Sequence, residues 1–108
     1  MNFSSAQDIY NILLETGMVS LRIDLFKTAS RYAQIRVEWQ LADPEKRKEM
    51  ELSRTAAHNA FIDACNILSR NMARAGEDTS WRSRLGNDRK VIGDFACYLH
   101  CILGVRAR

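Results

Sequence analysis

From Met18 to Ala42 the chain sets Met18, Leu21, Leu25, Thr28, Tyr32, Ile35, Trp39 and Ala42 at alternating steps of three and four residues. That spacing keeps side chains on one face of a helix, and here it persists for about six turns. A strand would instead alternate its faces at every second residue, and no alternating run of that kind occurs in the chain. Asp43-Pro44 then punctuates the sequence. Asp43 can accept hydrogen bonds from free backbone amides, Pro44 suits the first position of a helix, and Glu45 favours the positive end of the helix dipole. A further helix is expected over roughly 44–75, with a charged, solvated start. Its buried stripe is Phe61, Cys65, Leu68 and Met72, and Gly76 ends it.

The flanking segments read in the same way. Ser4 and Ser5, ahead of Gln7 and Asp8, predict a capped first helix over about 5–15 with Ile9 and Leu13 on its apolar face, stopped by a left-handed Gly17. Residues 76–87 collect turn formers around Trp81 and Leu85, so they predict a loop with one short helical turn pinned by the tryptophan. Asn87 or Asp88 caps a last helix in which Ile92, Phe95, Leu99 and Ile102 form a bulky side. Gly93, Cys97, His100, Cys101 and Gly104 form an opposite, slender side, which predicts close backbone approach and a helix wrapped by its neighbours.

With 108 residues, 46% of them hydrophobic, the chain is too short for two ordinary domains yet has enough apolar surface for one core. The expected fold class is all-α: a compact bundle of four main helices, two long central helices and a buried C-terminal helix, forming a single helical domain over 1–108. Short connections make the two long helices antiparallel across Asp43-Pro44, with the last helix between them. The stripe bearing Tyr32, Ile35 and Trp39 exceeds what a short first helix can cover, so self-association as a two-fold homodimer is expected.

Charge and cysteine usage narrow the partners. The net charge of +3 is modest, and all of the excess is C-terminal: residues 64–108 carry eight Lys/Arg against four Asp/Glu. A domain that binds nucleic acid chiefly through its field is usually more basic. Cys65, Cys97 and Cys101 are an odd number of cysteines, so they read as reduced thiols and not as a disulfide framework. The start, MNFSSAQDIY, lacks the cationic segment and cleavage site of a secretory signal, and the uncharged run from Phe95 to Val105 is too short to span a bilayer. A cytoplasmic protein with no membrane partner is expected.

The segments LSRTAAHNAFIDACNILSRNM and TSWRSRLGNDRKVIGDFACYLHCILGVRAR, about the C-terminal half, resemble a family of small uncharacterised bacterial helical proteins, a domain of unknown function. That resemblance implies an all-helical bacterial protein and brings no reaction with it.

Four groups of residues carry possible chemistry. Arg54 and His58 stand one turn apart on the third helix, where a guanidinium can hold a phosphate and an imidazole can move a proton. The pair loosely resembles the nucleotide-binding and ribonuclease family HEPN, but that motif spaces its Arg and His more widely; only Thr55, Ala56 and Ala57 intervene here. His58 is also in phase with Phe61 and Cys65, as a core histidine would be. Cys97, His100 and Cys101, with Cys65 or His58, offer metal-ligand types, yet without paired Cys-x-x-Cys knuckles they read first as small core residues. Asn59, Asp63, Asn66 and Arg70, with Asp94 from the last helix, would line a polar cleft or simply edge an amphipathic helix. Finally, Arg70, Arg74, Arg82, Arg84, Arg89 and Lys90 surround Trp81 as a candidate anion-binding patch, offset by Glu77, Asp78 and Asp88.

None of these groups compels a catalytic assignment, a metal or a cofactor. The reading that results is a non-enzymatic interaction or regulatory module that self-associates and recognises an unidentified protein partner. The alternative is a nucleic-acid-binding or weakly ribonucleolytic protein using the basic half with Arg54 and His58. Convergence of Arg54, His58, Asp63, Asp94 and His100 in one cleft would favour an enzyme.

Overall fold

The computed structural model describes residues 2–106, apart from the side chains at positions 3, 105 and 106. Within them lie five helices and no strand: α1 (Phe3–Glu15), α2 (Val19–Leu41), α3 (Pro44–Arg74), α4 (Ser80–Leu85) and α5 (Arg89–Arg106). The all-α bundle read from the periodicity is the observed fold, its principal extents being 47 × 28 × 24 Å.

The helix boundaries follow local chemistry. Asn2, not the serines, caps α1, its Oδ1 accepting from Ser5 N at 2.8 Å. Gly17 is not left-handed either. Extended backbone at Thr16 ends α1, and the buried Thr16 hydroxyl accepts from Met18 N at 3.2 Å to turn the chain. Asp43 does cap α3, accepting from Lys46 N at 2.9 Å, with Pro44 at the first position. Gly76 (φ 79°) and Gly86 (φ 69°) take the left-handed region after α3 and α4, where a Cβ would strain the backbone. Asp88 Oδ1 accepts from Lys90 N and Val91 N at the start of α5.

Two corners share one device that the sequence pattern did not announce. Arg22, one turn into α2, donates to Leu14 O at 2.8 Å near the end of α1. Arg47, one turn into α3, donates to Trp39 O at 2.9 Å and to Gln40 O at 3.0 Å at the end of α2. Both arginines reach back eight residues to Leu14 and Trp39. Each thereby places a cation on carbonyls of a helix C-terminus, where the dipole is negative.

The core is built around α2, which packs against both α3 and α5. Tyr32 of α2, Phe61 of α3 and Phe95 of α5 meet in sequence, with ring centroids 6.5 and 6.4 Å apart. On the other side Tyr10 of α1 stacks between Phe26 and Tyr98, at 6.0 and 6.4 Å. The last helix therefore lies chiefly on α2, with a lesser contact to α3, and is not evenly inserted between the two long helices. Its first three turns are enclosed through Ile92, Phe95, Ala96 and Leu99, but Cys101 and Gly104 are exposed. Trp81 of α4 is fully buried and pins the 76–87 connection to the core.

The apolar stripe of α2 is covered more completely than its length implies. Tyr32 and Ile35 are buried by α3 and α5, so they leave no face for a second molecule. No helix among the described residues is long and apolar enough to cross a membrane.

Candidate functional site

The sequence-predicted site residues disperse into separate settings. At the tip of the α2–α3 hairpin, Trp39 is held between two cations: the guanidinium carbons of Arg47 and Arg54 lie 4.4 and 4.2 Å from the ring centroid. Such stacking is worth roughly 0.5–2 kcal/mol per pair depending on desolvation. Arg54 also pairs with Glu51 one turn back, at 3.2 Å. One turn on, the half-buried His58 ring stands edge-on to Tyr32, with centroids 5.3 Å apart, and its Nδ1 lies 3.3 Å from Asn59 Oδ1.

Three buried nitrogens of this cluster, Trp39 Nε1, Arg54 Nε and His58 Nε2, find no hydrogen-bond partner among the described residues. All three atoms are shielded from solvent, so a bound molecule cannot reach them without these side chains moving, while His58 Nδ1, beside Asn59, is on the exposed side. This geometry suits a packed corner better than proton transfer to a bound molecule, because general acid–base groups must lie within reach of the reacting atom.

A second polar centre joins α2 to α5. Arg36 Nη1 donates to Asp94 Oδ1 at 3.2 Å and approaches Cys97 Sγ at 3.6 Å. The small side of α5 does permit a close approach here, but what approaches is the Arg36 guanidinium lying on Gly93, not a helix backbone. Burial works against the Arg36 charge, yet its hydrogen bonds and charge interactions with Cys97 and Asp94 outweigh this and raise its pKa. Asp94 also lies 3.8 Å from Lys90. It thus balances local cations on α2 and α5, and it does not share a cleft with Asp63, which is exposed on α3 beside Leu21 and Asp24 of α2. His100 is half-buried on α5 with no polar contact among the described residues.

The thiols are equally scattered. Cys65 is buried, Cys97 is half-buried beside Arg36, and Cys101 is exposed. Among the described residues no three His, Cys, Asp or Glu side chains converge as metal ligands would. Burial pushes the Cys65 thiol up to about 12, with Arg82 pulling weakly the other way.

Half of the basic patch, Arg82, Arg84 and Lys90, is committed to the fold. Arg82 donates to Asn66 Oδ1, Gly86 O and Asn87 Oδ1 at 2.7–2.8 Å, tying α4 to α3 and to the turn before α5. Arg84 pairs with Asp8 of α1 at 3.5 Å. Arg70, Arg74 and Arg89 are exposed and carry no ion pair among the described residues.

A different surface remains open, and it lies on α2. Val19, Ile23, Phe26, Ser30, Gln34, Val37 and Leu41 recur at steps of three and four, a second stripe roughly opposite the one that faces the core. Val19, Ile23 and Val37 are 44–50% exposed and Leu41 is 82% exposed. Sequence reading missed this stripe because Ser30 and Gln34 interrupt it and a stronger apolar phase runs along the same helix. Beside it, Ile23, Phe26 and Leu103 floor an open groove of about 390 Å³ between α2 and the end of α5, rimmed by Lys27 and Arg31. Comparison with protein-family models, curated proteins and solved structures found no match to this chain.

Proposed function

We propose that this chain is a non-enzymatic interaction module whose activity is to present the outer face of α2 to another protein chain. The observation that carries the reading is the bare stripe of Val19, Ile23, Val37 and Leu41. Scattered surface hydrophobes are ordinary, but a helix-long row in register with its own groove has the form of a helix-recognition surface. The polar groups support the same reading by their engagement. Arg54, Arg82, Arg84 and Lys90 each hold a partner within the fold, which leaves Arg70, Arg74 and Arg89 as the unpaired cations of the basic half among the described residues.

The test is site-specific photo-crosslinking in cells. A photoreactive residue in place of Val37 is expected to give discrete protein adducts, and the same residue in place of the exposed Glu49 is expected to give none. Adducts of equal yield from both positions, or from neither, would remove the basis for the proposal.

A further inference from the structure

We infer that the occupant of the outer α2 face is a second copy of this chain, docked antiparallel about a two-fold axis that lies between the two α2 helices, level with the interval from Ser30 to Gln34. The inference rests on the reading of that face as an interaction surface, and it adds the identity and register of the partner. Three observations carry it.

The face holds both a knob and a hole. Leu41, at one end of α2, projects into solvent at 82% exposure. The open groove floored by Ile23, Phe26 and Leu103 begins near the other end and runs along Ser30 to Gln34 at the middle of the helix. The eighteen residue steps from Ile23 to Leu41 span about 27 Å of helix, so one molecule cannot fill its own groove with its own leucine. An antiparallel copy can, and a two-fold axis makes the exchange twice over.

The charges agree with that register. When Leu41 stands opposite the partner's Ile23, Val37 falls beside the partner's Phe26, and Glu38 comes level with the partner's Lys27. Lys27 and Glu38 make no ion pair among the described residues, so both are available across the axis, whereas Arg31 comes within two residues of the partner's Arg31 and has to turn outward to solvent. A parallel pair would set Lys27 against the partner's Lys27.

The polar interruptions also find a place. In the same register Ser30 stands opposite the partner's Gln34 near the axis, and Gln34 opposite the partner's Ser30. A polar pair inside an apolar seam fixes register at some cost in stability. In this arrangement the two residues that break the stripe set the alignment of the dimer.

The experiment is sedimentation equilibrium of the purified chain, with circular dichroism to verify folding. The wild-type chain is expected to dimerise in the micromolar range, and Leu41→Asp to be monomeric with unchanged helicity. Lys27→Glu and Glu38→Lys are each expected to weaken the dimer about tenfold, and the double exchange to restore it, because the pair re-forms with its signs reversed. A wild-type chain that stays monomeric, or a dimer indifferent to Leu41→Asp, overturns the inference. So does a double exchange no better than the single ones. If Val37 still gives adducts in cells while the purified chain is monomeric, the interaction surface stands and only its occupant is wrong.

Discussion

The guanidinium carbon of Arg36 lies 2.6 Å from the point where a Cβ on Gly93 would stand, so the glycine is what lets the arginine reach Asp94 and Cys97 across the α2–α5 contact. Gly93→Ala has two opposed effects. Alanine gains about 1 kcal/mol of helix propensity, whereas displacing the guanidinium forfeits a charge-assisted bond of about 1.5–3 kcal/mol. A net loss of about 1 kcal/mol is expected in urea denaturation. In an Arg36→Ala background the sign should reverse, since only the propensity gain remains. Destabilisation of the same size in both backgrounds would show that the steric account is wrong.

Arg82 uses its fork on three acceptors, one on α3 and two in the turn before α5. Arg82→Ala is expected to cost about 2–3 kcal/mol, and Arg82→Lys to recover little because an ammonium cannot span the same acceptors. Arg89→Ala, at an exposed position, should fall within about 0.5 kcal/mol of wild type. Comparable losses at the two positions in chemical denaturation would contradict the clamp.

At the hairpin tip Arg47 serves both the Trp39 ring and the last carbonyls of α2. Removing it as Arg47→Ala is expected to cost about 1–2 kcal/mol. In a Trp39→Leu background the loss should shrink to the capping part alone. A double-mutant cycle with no coupling would separate the two roles and refute the stack.

Cys65 supplies a pH dependence. Burial pushes its thiol from the ordinary 9.0 up to about 12. The folded state therefore holds the proton more tightly, so this group's contribution is fully present below pH 9.0 and is lost as pH rises toward about 12. Cys65→Ala should flatten that part of the stability profile. Alkylation should follow the same order: Cys101 reacts with the folded protein, whereas Cys65 reacts only on unfolding.

How much of this was legible in the sequence depends on the kind of interaction. Helix extents were readable at Asp43-Pro44, Gly76 and Asp88 because capping is local chemistry between near neighbours. It was misread at Ser4, Ser5 and Gly17, where Asn2 and Thr16 took the capping and turning roles from one or two residues away. The core stripes of α2, α3 and α5 were readable from period alone. The roles of Arg36, Arg47 and Arg54 were not, because a long cationic side chain gives no sign of which ring or carbonyl it will meet across the fold. The candidate site was likewise seen as separate pieces. Nothing in the spacing of His58, Asp94 and His100 could reveal that Tyr32, Arg36 and a run of apolar neighbours would keep them apart.

The reach-back arginines bear on how such a chain assembles as it leaves the ribosome. Arg22 and Arg47 each emerge eight residues after the carbonyl they will hold, so each of these two bends can latch before the rest of the bundle exists. Closing so short a loop carries little entropic cost, and local closures of this kind are made early. The α2–α3 hairpin can therefore close before the rest of the chain is made, whereas α1, whose Tyr10 meets Tyr98, completes its docking only once α5 lies on α2.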